Sequence, residues 1–93
     1  MKQYTETQIR QKIILYISTR TNHKKVLKIE KDNPPVKIDT GINAPIYFTV
    51  EVETYNFEKV KVIFHYENEF LHYGIIKNKY RHICDTKKLN QIF

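Results

Sequence analysis

Ninety-three residues with 16 Lys or Arg against 10 Asp or Glu make one small basic domain, with room for a single core and not for two. The lone cysteine, Cys84, excludes an internal disulfide or a cysteine zinc site and fits a reducing compartment. No apolar run has the length of a membrane span and the first residues are not leader-like, so the sequence reads as a cytoplasmic, soluble α+β domain over residues 1–93.

In chain order, residues 1–20 predict an amphipathic helix. Thr5 and Gln8 form a capping-box pattern, and Ile9, Ile13, Tyr16 and Ile17 share one stripe with Ile14 beside it, while Arg10, Gln11 and Lys12 take the outer side. The β-prone run Ile13 to Ile17 keeps a buried strand open as the alternative. After a break at Thr19 to His23, Lys24 to Lys31 predicts a strand in which Leu27 and Ile29 alternate with Lys28 and Glu30. Asp32-Asn33-Pro34-Pro35 ends it, since neither proline donates a ladder hydrogen bond. Val36 to Asp39 reads as a short edge segment, and Thr40-Gly41-Ile42-Asn43 as a turn.

The central meander, about 46–76, organises the rest. Ile46, Phe48, Val50 and Val52 alternate with Tyr47, Thr49, Glu51 and Glu53, and after Tyr55-Asn56-Phe57 the alternation resumes through Val60, Val62, Phe64 and Tyr66. Setting Val52 opposite Val60 and Val50 opposite Val62 puts the apolar sets on one face and brings Glu53 to Lys59 and Glu51 to Lys61 on the other. A two-residue turn at Asn68-Glu69 then turns Leu71, Tyr73 and Ile75 to the core and sets His72 opposite His65. A three-residue loop would bury Phe70, His72 and Ile76 instead. Beyond a boundary at Lys77-Asn78, residues Lys79 to Phe93 are expected to be a C-terminal helical segment, with a strand over Lys79 to Ile83 as the alternative. The expected fold is thus α+β, an N-terminal helix and a C-terminal helical segment packed with a four- to five-stranded antiparallel sheet. Three strands followed by a basic helix opening at Lys77-Asn78-Lys79 resemble the element order of double-stranded-RNA-binding domains, without that family's Ala-rich last helix or its Gly-Pro and His between the first two strands.

Charge is unevenly spread. Residues 1–31 carry eight Lys or Arg against two acids, residues 32–76 three against seven, and residues 77–93 five against Asp85 alone. Basic flanks attract polyanions through phosphate contacts and counterion release. The nucleic-acid-binding candidates are Lys24, Lys25, Lys28, Lys77, Lys79, Arg81, Lys87 and Lys88, with Tyr80 and His82 able to stack among them. Thirteen Lys against three Arg, with many Ile, Asn and Tyr, also matches an AT-rich coding sequence, in which lysines accumulate on solvated faces. A second surface, Tyr47, Ile63, His65 and Phe70 on the polar face of the sheet, is the candidate for a protein partner or a homodimer through a sheet edge. The catalytic alternative is a small basic ribonuclease-like toxin in which His65 and His72 act as general base and acid, with Tyr47 and Lys61 nearby. No phosphate loop, nucleophile elbow, carboxylate pair or metal-ligand spacing is present, and no cofactor is expected. The expectation is a non-catalytic binding protein of phage or mobile-element character, its partner nucleic acid or a host protein.

Overall fold

The computed structural model describes residues 4–32 and 45–93. The expected edge segment Val36 to Asp39 and the turn around Gly41 lie outside the described residues. Elements follow in the order α1 (Glu6–Arg20), β1 (His23–Asp32), β2 (Ile46–Thr54), β3 (Lys59–Glu67), β4 (Phe70–Lys77) and β5 (Tyr80–Lys88), and a single 3-10 turn, Leu89–Gln91, comes last. The strands form one antiparallel sheet in the order β1-β2-β3-β4-β5.

The helix begins where the capping box predicts. Gln8 N donates to Thr5 Oγ1 at 3.1 Å, and Thr5 N donates to Gln8 Oε1 at 2.8 Å, which satisfies two backbone donors that the helix cannot use itself. Glu6 in the first turn adds ion pairs to Arg10 at 3.1 Å and Lys31 at 3.2 Å, its negative charge suiting the positive end of the helix dipole. Burial resolves the helix-or-strand choice, because Ile9, Ile13, Tyr16 and Ile17 fit one stripe and all four are buried. Against them pack Phe48, Val50 and Val52 of β2, Val62 and Phe64 of β3, Leu71 of β4, and Leu89 and Ile92 of the tail. The expectation that the last apolar residues tie the terminus down holds for Leu89 and Ile92. Lys12 Nζ donates to the Ile92 carbonyl at 2.5 Å and Arg20 to that of Gln91 at 3.3 Å.

The meander keeps the predicted registers. Val50 pairs with Val62, Val52 with Val60, Glu51 with Lys61, Glu53 with Lys59, and Tyr47 with His65. His65 pairs with His72 and Glu67 with Phe70 across a turn in which Asn68 and Glu69 both hold positive φ, the two-residue form whose twist matches that of its strands.

Three expectations need correction. The C-terminal helical segment is absent, and residues 80–88 form a fifth strand followed only by the 3-10 turn. Asn78 (φ 53°) and Lys79 (φ 69°) build a second turn of the same kind as Asn68-Glu69, which returns the chain along β4. The element order of the double-stranded-RNA-binding domains goes with that helix. Leu27 is exposed, because the register shift between Val26 and Lys28 leaves it without a ladder partner, and Val26 and Ile29 are the residues of β1 packed on the core. Ile75 is exposed, because β4 pairs with β3 only as far as Gly74 and its last residues project beyond the sheet's centre.

Candidate nucleic-acid interface

The predicted basic flanks become the two edges of the sheet, with Lys24, Lys25 and Lys28 on β1 and Lys77, Lys79, Arg81, Lys87 and Lys88 on the β4–β5 hairpin. Strand order alone would hold them apart. The sheet's twist brings diagonal corners together on opposite faces instead. On the helix face, His23 Nε2 at the start of β1 lies 3.3 Å from Tyr73 OH of β4. On the outer face, Arg81 of β5 lies 3.9 Å from Asp32 Oδ2 at the end of β1, with its guanidinium carbon 5.0 Å from the centre of the Tyr47 ring.

Gly74 makes that lean feasible. A register shift falls between Tyr73 and Gly74, and a Cβ on Gly74 would stand 2.4 Å from the His82 carbonyl oxygen, so only glycine lets β5 approach this closely. The hairpin tip crosses the outer face, and Ile63, paired with Gly74, is 1% exposed.

A row of polar and aromatic residues runs under the tip across all five strands: Asp32, Tyr47, His65, His72 and Thr86, successive partners in the ladder. The His65 and His72 rings stack at 4.2 Å with 17° between their planes, and Tyr47 leans on His65 at 5.4 Å. His72 Nδ1 is 2.8 Å from Thr86 Oγ1, and Thr49 Oγ1 donates to Asp32 Oδ2 at 2.6 Å. Burial, and then the neighbouring His72 imidazole, hold the His65 pKa below the ordinary histidine value; Glu67 opposes this and Arg81 adds to it. The neutral form of the His65 ring is thereby favoured where it packs on His72.

This geometry bears on each set of candidates. Tyr47, His65 and His72 are brought together, but Lys61 lies beyond Ile63 in a shallow polar depression with Lys28, Glu30, Thr49 and Glu51. Of the four partner-binding candidates, Ile63 is buried, Tyr47 sits beneath Arg81 and His65 is half-buried, which leaves Phe70 exposed. The basic candidates divide by edge. Lys24 and Lys25 lie 3.8 and 4.0 Å from Glu53, and Lys28 lies 2.6 Å from Glu30. Lys77, Lys79, Lys87 and Lys88 have no ion pair among the described residues, and Asp85, the only acid after residue 69, accepts a hydrogen bond from Tyr16 OH at 2.6 Å. Tyr80 and His82 are exposed on the same strand.

Sequence reasoning missed Asp32, Thr49 and Thr86, whose places depend on pairings of β1 and β5 that no local turn announces. It also missed Gly74, although a glycine inside an alternating strand is a recognised sign of a bulge or a close approach. Among the described residues no three His, Cys, Asp or Glu side chains converge as a metal site, and no helix is long and apolar enough to cross a membrane. Comparison with protein-family models, with curated proteins and with solved structures found no match.

Proposed function

We propose that this protein is a non-catalytic nucleic-acid-binding module whose contact surface is the β4–β5 hairpin. The observation that carries this reading is the contrast between the edges. The β1 lysines face carboxylates, whereas Lys77, Lys79, Lys87 and Lys88 stand without an acid partner among the described residues. A phosphate arriving at the hairpin displaces only counterions, which is the favourable term in polyanion binding. At β1 it would compete with Glu53 and Glu30. Lysine ammonium groups are point charges without the planar fork of arginine, so the contacts position a backbone rather than read a sequence.

The outer face supports this function less well. Lys25, Glu53 and Lys59, and below them Lys28, Glu51 and Lys61, alternate in sign across the strands, so the field of each residue is cancelled by the next. The ribonuclease-like alternative would use the same face. There the two imidazoles occupy each other's faces at 4.2 Å, and Glu67, two positions along β3 from His65, adds the charge that a phosphodiester avoids. A protein partner adding a strand to β5 is the second reading, favoured by exposed Ile83 on that edge strand and exposed Ile75 and Ile76 beside it on β4. Pairing of β5 with a second copy of itself would oppose Arg81, His82, Lys87 and Lys88 to their own kind, so a homodimer through this edge is disfavoured.

The test is a fluorescence-anisotropy titration with labelled DNA and RNA, single- and double-stranded, at low and near-physiological salt. Lys77, Lys79 and Lys88 changed together to Glu are expected to abolish binding, and the same change at Lys24, Lys25 and Lys28 to weaken it less. Equal losses from both triple variants would sink the assignment to the hairpin.

A further inference from the structure

The back of the hairpin tip differs from its front. In the β4–β5 ladder, Gly74 pairs with Ile83 and Ile76 with Arg81, and these residues face the outer side, where Arg81 meets Tyr47 and Asp32. Ile75 pairs with His82 and Lys77 with Tyr80 on the alternate side, and all four are exposed, Tyr80 at 72%. That back surface therefore presents two rings, Tyr80 and His82, two positions apart on one face of one strand. Ile75 lies beside one ring and Lys77 beside the other. Lys79 stands in the turn just ahead of Tyr80, and no acid lies between residues 70 and 84.

Two residues so placed project in parallel about 7 Å apart, twice the strand's rise per residue. That is also about twice the 3.4 Å rise between neighbouring bases on a strand, so the gap matches one planar base held between two rings. A base in a duplex already has neighbours on both faces and cannot enter such a gap without leaving its stack. An unpaired base can.

We propose that the back of the hairpin tip is a base-stacking slot for single-stranded nucleic acid, in which Tyr80 and His82 enclose one unpaired base while Lys77 and Lys79 meet the phosphates beside it. This rests on the reading of the hairpin as a nucleic-acid-binding surface. Neither ring belongs to the core, so their replacement leaves the fold in place.

The experiment titrates the whole protein against a labelled 12-nucleotide single strand, the same sequence as a duplex, and the same strand with abasic sites that keep every phosphate. The intact single strand is expected to bind at least about 10-fold more tightly than the other two, because stacking of a base on an aromatic ring is lost in both. Tyr80→Ala should lower its affinity about 10-fold and leave the salt dependence unchanged, Tyr80→Phe should retain it, and the circular-dichroism melt of each variant should match the parent's. Duplex or abasic strand bound as tightly as the intact strand would overturn the slot while leaving the hairpin as a phosphate-binding surface. So would full affinity in Tyr80→Ala. Absence of binding to all three probes would overturn both readings.

Discussion

The two edges of the sheet are both lysine-rich, and they differ in what the lysines face. Along β1, Lys24, Lys25, Lys28 and Lys31 each lie within 4.0 Å of a carboxylate, and the strand is interrupted twice in its register. Such exposed pairs contribute little to stability, about 0–1 kcal/mol each, but they cancel the field that would attract a polyanion. Irregular pairing and charge also protect an edge from adding further strands. Along β5 the charge is left open among the described residues, since Arg81 is the one cation of that strand that meets Asp32, and Asp85 serves Tyr16. Net charge by itself does not make a binding surface; the acids within reach decide which cations are available.

The contrast breaks most severely if the hairpin loses its seat. Gly74→Val sets a Cβ against the backbone oxygen of His82, where no flexible side chain can give way. We expect a loss of roughly 2–3 kcal/mol in urea unfolding, as for other overpacked positions, together with loss of the proposed nucleic-acid binding. Glu53→Gln tests the contrast from the other side. It removes the acid shared by Lys24 and Lys25, and should raise affinity for a single strand a few-fold and steepen the log-log salt slope by up to about 1.4, roughly 0.7 per freed cation. An unchanged slope would mean that those pairs do not mask the edge.

A smaller effect is expected from acid. The His65 pKa is lowered in the fold, so below the ordinary histidine pKa of about 6.5 the unfolded chain binds the proton more readily than the folded one. Its contribution is present in full above that pH and is lost as pH falls toward and through the folded pKa. The urea midpoint should therefore drop between pH 7.5 and 5.5, and His65→Phe should flatten the part of that drop due to this ring. The smallest change is Arg81→Gln, which removes the contact with Tyr47 and the long pair to Asp32. Exposed interactions of this kind are worth under about 1 kcal/mol, and a melt shifted well beyond that would mark the diagonal as a structural anchor.

The two Asn-initiated turns show how legible the fold was. Asn68-Glu69 lies between two alternating apolar runs, and those runs specify the register of its hairpin. Asn78-Lys79 has the same chemistry, with both residues at positive φ, but the strand after it carries Arg81, His82, Asp85 and two lysines and shows no apolar alternation. A strand that buries little writes little of its pairing into its sequence, and the basic run reads locally as a helix. The candidate site was legible to the same degree. Tyr47, His65 and His72 fall into one row because neighbouring hairpins fix each other's register, and Tyr80 and His82 stand out in the sequence by their basic surroundings.

The sequence by itself determined whatever depends on near neighbours. It specified the helix through Thr5, Gln8 and the Ile9 to Ile17 stripe, and it specified the meander through alternation matched by a turn of defined length. Only the tertiary structure decided which lysines are neutralised, that Ile63 is covered, and that Arg81 reaches Asp32 from the far edge. Those outcomes follow from strand pairings and an accumulated twist that join residues far apart in the chain, and no local pattern of side chains encodes where such a twist will end.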